Sequence, residues 1–330
     1  MLVLAPLLSV VVVLLLSPLQ VASQSLANSG ACPATSGLAR DVGQTQTLGA
    51  GEAAYIDRRT KVVQQAWLDK LSALNLSSDA VTAMIQKDPP RIAFAMSGGG
   101  LTATLFNTGY LQGLDARNAT AQARGTAGLL DLFSYIGGLS GGSWALGTLA
   151  LNDWPTVQSL HDNVWQLEDG GLPAVPPRLS ATDLVSPLVA ALNQAGQLLS
   201  GVLTPGLSVV NVWGTLLAGH FVATSSPFTA QWSDISSTPS FQNASKPFPL
   251  VTAIDYQGAA LRPAGGNATI VEFNPYEFGS WDPAIAAFAN ISVMGTPLTG
   301  GNAPQDGQCV LGYATAWVHL LLGAGMHRWH

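Results

Sequence analysis

The sequence predicts an α/β fold: a central, mainly parallel sheet with helices on both faces. Three observations lead to it. Arg91–Met96 is a short apolar run that breaks into Ser97-Gly98-Gly99-Gly100 and then a helix-compatible segment, Leu101 to Leu114. Leu132–Ile136 repeats the pattern, reaching Gly138-Leu139-Ser140-Gly141-Gly142-Ser143-Trp144 and a second helical segment ending near Leu151. Strand, loop and helix occurring twice in succession suggest parallel strands joined by crossover helices. Later apolar runs, Phe248 to Ile254 and Thr269 to Phe273, read as further strands of the same domain.

Taken in order, the chain opens on an apolar stretch from Leu2 to Leu16 that ends in Val21-Ala22-Ser23. Small residues at 22 and 23 resemble a cleavage site, so residues 1–23 read as a signal peptide of a secreted protein, and 24–330 as the catalytic domain. Pro18 interrupts the run, which argues against a membrane anchor. Sequons at Asn75, Asn118, Asn243, Asn267 and Asn290 fit a glycoprotein. Cys32 and Cys309 either close one long loop in an oxidising compartment or remain separate thiols, and no CxxC or zinc spacing is present.

With 48% hydrophobic and only 10% charged residues the chain is globular, and its net charge of −6 argues against nucleic acid as a partner. Residues 54–87 read as helical: Val63, Trp67, Leu71 and Leu74 lie at helical spacing, with Asp57, Arg58, Lys61 and Gln65 elsewhere around it. Ser77, Ser78 and Asp79 offer a cap for a second short helix, which Asp88-Pro89-Pro90 ends. Asp153-Trp154-Pro155 stops the helix after the elbow. From Leu184 to Trp232 there is no Asp, Glu, Lys or Arg. Leu184–Leu203 within that stretch reads as a buried helix or as a lid that meets an aggregated lipid surface.

The chemistry centres on Gly138-Leu139-Ser140-Gly141-Gly142, a G-x-S-x-G nucleophile elbow. A serine at so sharp a turn crowds its neighbours, and glycine at 138 and 142 lets the strand and helix pack closely. The helix start also directs N–H groups toward an oxyanion formed beside the serine. Gly98, Gly99 and Gly100, about 40 residues earlier, leave backbone N–H groups uncovered and form an anion nest. A dinucleotide or P-loop reading fails for want of G-x-G-x-x-G or Gly-Lys-Ser/Thr. Nothing points to a cofactor or metal.

Ser97-Gly98-Gly99-Gly100, Gly138–Trp144 and the aromatic segment Glu272–Pro283 together resemble the fungal lysophospholipase (phospholipase B) family, related to the cytosolic phospholipase A2 catalytic domain. The motifs occur in the family's order, and the resemblance runs from Cys32-Pro33 to Cys309-Val310. It implies a carboxylic ester hydrolase acting on phospholipid or lysophospholipid through a Ser–Asp dyad. Ser140 would be the nucleophile, with the amides of Gly98 and Gly99, and Gly100 adjoining, holding the oxyanion. The family's dyad aspartate lies in a later Asp-Gly-Gly; here the nearest match is Asp306-Gly307-Gln308, and no acidic residue follows Asp306. Tyr313-Ala314-Thr315 also departs from the family's Asp-Asn, so the chain reads as the N-terminal part of such a domain, truncated at its C-terminus. Thr102 stands where the family has a phosphate-contacting arginine.

A conventional triad in the order Ser…Asp…His would use Ser140, Asp255 or Asp282, and His319, with His161, His220, His327 and His330 the other histidines. The rival from a different class is a non-catalytic lipid-binding remnant that lacks the dyad aspartate.

Overall fold

The computed structural model describes residues 28–167, 217–223, 230–254 and 269–312. The signal-peptide reading, the Leu184–Leu203 stretch, Asn267, Asp255, His319, His327 and His330 lie outside the described residues.

Two short strands, β1 (Asn28–Ala31) and β2 (Ala39–Asp41), precede α1 (Ala50–Ala73). The helical stretch expected across 54–87 forms two helices, as the cap at Ser77–Asp79 implied. Asn75, at φ 57°, closes α1 in the left-handed conformation, with Leu76 N donating to Leu71 O at 2.9 Å. Ser78 then caps α2 (Asp79–Lys87) as anticipated, its Oγ accepting from Val81 N. The core units follow: β3 (Ile92–Met96) into α3 (Gly100–Gln112), a short α4 (Ala119–Arg124), then β4 (Phe133–Gly138) into α5 (Gly141–Leu151) and α6 (Val157–Asn163). After α7 (Pro239–Gln242) come β5 (Phe248–Ile254), β6 (Ile270–Phe273), β7 (Glu277–Ser280), β8 (Ala287–Asn290) and β9 (Gln308–Leu311).

Seven strands form one sheet in the order β2-β8-β7-β6-β5-β4-β3. Here the expectation of a mainly parallel sheet is corrected. Only β3–β4 and β4–β5 pair in parallel, and the other four pairings are antiparallel. The reason is connection length. Parallel neighbours need a crossover of a dozen or more residues, supplied by α3–α4 and by α5 onward. Between β6 and β7 only residues 274–276 intervene, and Asn274 Oδ1 accepts from Tyr276 N and Glu277 N at 2.9 Å each to make a tight turn. The chain must double back.

Helices do cover both faces. Along β4, Tyr135 points to the side where its hydroxyl donates to Glu52 of α1 at 2.9 Å. Gly138, an odd number of residues away, faces the backbone of α5 on the opposite side. Tyr55 of α1 packs against Phe241 and Phe248 with ring centroids 4.3 and 5.1 Å apart. Beneath β4 the fully buried Arg59 guanidinium donates to the carbonyls of Asp131, Phe133 and Ala244 at 2.8–3.2 Å. Those carbonyls stand in for water around a charge that would otherwise be costly to bury. Desolvation still lowers the Arg59 pKa to about 10.

β1 and β9 pair separately as a two-stranded sheet, and the disulfide Cys32–Cys309 lies beside it. Of the two possibilities open for the cysteines, the closed loop is the one realised.

Candidate active site

β4 delivers the chain to Ser140, the N-cap of α5, which sits at φ 52° and ψ −122°. A non-glycine residue there is strained and persists only where its surroundings fix it. They do so from both sides. Leu139 N donates to Met96 O at 3.1 Å, Gly142 N to Leu139 O at 2.9 Å and Ser143 N to Ser140 O at 2.8 Å. A Cβ on Gly138 would lie 2.8 Å from the Gly142 backbone, and one on Gly142 would lie 2.3 Å from Met96 O. The steric reading of these two glycines therefore holds.

Gly141 is the residue that the sequence reading passed over. Its Cβ would meet Gly100 O at 2.2 Å, so the elbow and the glycine loop pass each other in direct backbone contact. The available signal was the unbroken Gly-Gly pair after the serine.

The glycine loop lies against the serine. A Cβ on Gly98 would be 2.8 Å from Ser140 Cβ and 3.4 Å from Ser140 Oγ, while Gly99 and Gly100 hold φ of 137° and 62°. Successive amides turned by positive φ form a concave row of N–H groups. Among the described residues, the amides of Gly98 and Gly99 donate to no backbone carbonyl. Both loops are pinned by polar side chains of α3. Thr104 Oγ1 lies 2.8 Å from Gly141 O and 3.1 Å from Gly100 O, and Asn107 Nδ2 donates to Ser97 O at 3.2 Å. Every residue of α5 from Gly141 to Ala150 is buried, so the elbow rests on a fixed base. Ser143, the elbow's second serine, has a buried Oγ with no hydrogen-bond partner among the described residues. Thr102 is exposed on the first turn of α3.

The candidate acids and bases stand elsewhere. Asp282 follows β7, three strands across from β4, a lateral distance of about 14 Å. Its Oδ1 accepts from Ala284 N at 2.9 Å. Asp306 is exposed in the turn before β9, where it accepts from Gln308 N at 3.0 Å. His161 pairs with its neighbour Asp162 on the surface, and the buried His220 ring contacts the Gln166 carbonyl. Among the described residues, no carboxylate or imidazole is hydrogen-bonded to Ser140 Oγ.

The segment Glu272–Pro283 does more than pack. Arg40 of β2 binds Glu277 bidentately at 2.6 and 2.8 Å and lies over the Phe288 and Trp281 rings at 4.9 and 5.9 Å. Trp281 Nε1 donates to Glu272 Oε2 at 3.3 Å. This cluster ties the edge strand β2 to the sheet. Glu52, buried among it and repelled by Glu272 and Glu277, has a pKa pushed up to about 7, chiefly by desolvation. Glu272 is raised too, first by burial.

Of the sequon asparagines, Asn75, Asn243 and Asn290 are exposed, whereas Asn118 is half-buried and caps α4 by accepting from Ala121 N at 2.9 Å.

With this geometry in view, comparison with known proteins is direct. Residues 92–323 match the sequence model of the lysophospholipase catalytic domain. Lysophospholipase 3 of Saccharomyces cerevisiae is 32% identical over 306 residues, covering 86% of this chain and 43% of that protein. Lysophospholipase of Torulaspora delbrueckii is 34% identical over 281 residues, covering 79% of this chain and 42% of its own length. The chain thus spans less than half of these relatives. Among solved structures, human GIVD cytosolic phospholipase A2 superposes with a TM-score of 0.62 at 18% identity, covering 91% of this chain and 37% of that one. The same human protein in complex with methyl gamma-linolenyl fluorophosphonate inhibitor and terbium chloride gives 0.58 at 20% identity, covering 88% and 36%. That likeness shows the shared fold.

Proposed function

Because the chain belongs to the lysophospholipase catalytic domain family, we propose that it hydrolyses the fatty-acyl ester of a lysophospholipid or phospholipid through a Ser140 acyl-enzyme. The observation that carries this reading is Ser140 held at φ 52° beside the glycine loop. Ser140 Oγ attacks the acyl carbonyl carbon, and the hydroxyl proton passes to a carboxylate base. The carbonyl oxygen becomes an oxyanion received by the amides of Gly98 and Gly99, with Gly100 adjoining; one such donor is worth about 3 kcal/mol of barrier. The ester C–O bond then breaks, the alcohol leaves with a proton, and water hydrolyses the acyl-enzyme to a free fatty acid. Related proteins named lysophospholipase support this substrate class.

The reading extends to a secreted glycoprotein that meets its substrate at an aggregated lipid surface. The Cys32–Cys309 disulfide supports an oxidising compartment. Exposure of Asn75, Asn243 and Asn290 supports their glycosylation.

The test is release of fatty acid from lysophosphatidylcholine by the purified chain beside Ser140→Ala. The expected result is release that the substitution abolishes, and a search for the proton acceptor would then begin at Asp255. Folded protein that binds lipid without releasing fatty acid would replace this reading with the non-catalytic lipid-binding one.

A further inference from the structure

The two loops of the site belong to different units of the fold. The glycine loop closes β3 and opens α3, whereas the elbow closes β4 and opens α5. Donation from the Gly98 and Gly99 amides to an oxyanion on Ser140 therefore depends on how the two loops are held against each other. Where the strands end, Leu139 N donates to Met96 O at 3.1 Å. Beyond that point the loops touch backbone to backbone at Gly141 and Gly100, and Gly98 lies against the Ser140 side chain. Into this contact α3 projects the fully buried Thr104 hydroxyl. It lies 2.8 Å from Gly141 O, 37 positions away in sequence, and 3.1 Å from Gly100 O in its own helix.

A buried threonine in a helix commonly donates to the carbonyl four residues earlier. Thr108, one turn further on, shows that ordinary pattern, with its Oγ1 2.9 Å from Thr104 O and 3.1 Å from Leu105 O. Thr104 differs in having an acceptor from the other unit, and that acceptor is the closer of its two. A hydroxyl carries one proton, so the shorter contact takes the larger share of it. Both acceptors are site residues, Gly100 ending the glycine loop and Gly141 following the nucleophile.

We propose that Thr104 is a positioning residue, whose hydroxyl clamps the elbow to the glycine loop and so sets the Gly98 and Gly99 amides against Ser140. This rests on the Ser140 acyl-enzyme reading. The oxyanion forms only on the way to the transition state, so the clamp acts on kcat and leaves KM alone. A displacement of about 1 Å between the loops is enough to cost about a hundredfold in rate.

The experiment compares the full chain with Thr104→Val, which keeps the shape and removes the donor. Thr104→Ser restores the hydroxyl, and Thr108→Val removes only an in-helix bond. Hydrolysis of 4-nitrophenyl butyrate gives kcat and KM. Hydrogen exchange at the bonded amides of Leu139, Gly142 and Ser143 reports the clamp independently of any chemistry. For T104V the expected result is a kcat lower by about tenfold to a hundredfold with KM unchanged. Those amides should exchange about fivefold faster, the effect of losing one net hydrogen bond. T104S and T108V should match the parent in both measurements. Parent-like kcat or parent-like exchange in T104V would overturn the proposal. So would T108V matching T104V, which would mean a general loosening of α3, or T104S failing to restore the parent values. If the parent hydrolyses neither this ester nor lysophosphatidylcholine, the proposed chemistry fails, while the exchange comparison still decides whether Thr104 holds the loops together.

Discussion

Glu52 makes the fold sensitive to pH in a direction that can be worked out. It is 3% exposed, accepts a hydrogen bond from the Tyr135 hydroxyl, and faces Glu272 and Glu277, with Arg40 the nearby cation. Burial and the two like charges lift its pKa from an ordinary 4.5 to about 7. Between those values the folded chain keeps a proton that the unfolded chain releases, so stability falls as pH rises. The contribution is fully present below pH 4.5 and lost on passing pH 7, a total of about 3 kcal/mol. Glu52→Gln keeps the shape and removes the ionisation. Urea unfolding at pH 4.5, 6 and 8 should show parent and variant alike in acid, with the variant about 3 kcal/mol more stable at pH 8. A smaller slope survives in the variant, because Glu272 is raised in the same sense. If the parent and E52Q curves run parallel across this range, the carboxyl is not held protonated and the reasoning is refuted.

Other perturbations separate steric from generic effects. Gly142→Ala would drive its Cβ to 2.3 Å from Met96 O and should abolish ester hydrolysis or folding, as melting and activity together would tell. Gly109→Ala, on the exposed side of α3 with nothing within 4 Å of its Cβ, should instead raise stability by about 0.5–1 kcal/mol in urea titration. Cys309→Ser opens a loop of 277 residues' separation and should cost about 5 kcal/mol or less, read as a drop in the denaturation midpoint.

The two strand–loop–helix units were legible because each combines a β-prone run, a glycine break and a helical segment within a few residues. Ser140, the glycine loop and the steric demand at Gly138 and Gly142 followed from that local grammar. What stayed hidden depends on pairs distant in sequence. Arg40 and Glu277 are 237 residues apart, and no local pattern joins them. The antiparallel half of the sheet was misread because its strands are only four residues long, too short for periodicity to fix a direction. For Gly141 the Gly-Gly pair marked a tight turn, but the contact that demands glycine there comes from Gly100 in the other loop.

The pairing of β1 with β9, locked by Cys32–Cys309, joins the first and last described strands. Everything between those cysteines is one covalent ring. A protease that cuts a single peptide bond anywhere inside it therefore opens the ring without parting the pieces, and both sides of the cut remain on one molecule. Ser97–Gly100 and Ser140 stay tethered to each other whichever bond is lost. In a protease-rich medium, integrity of the chain would then depend on the redox state of its surroundings more than on the survival of any one loop.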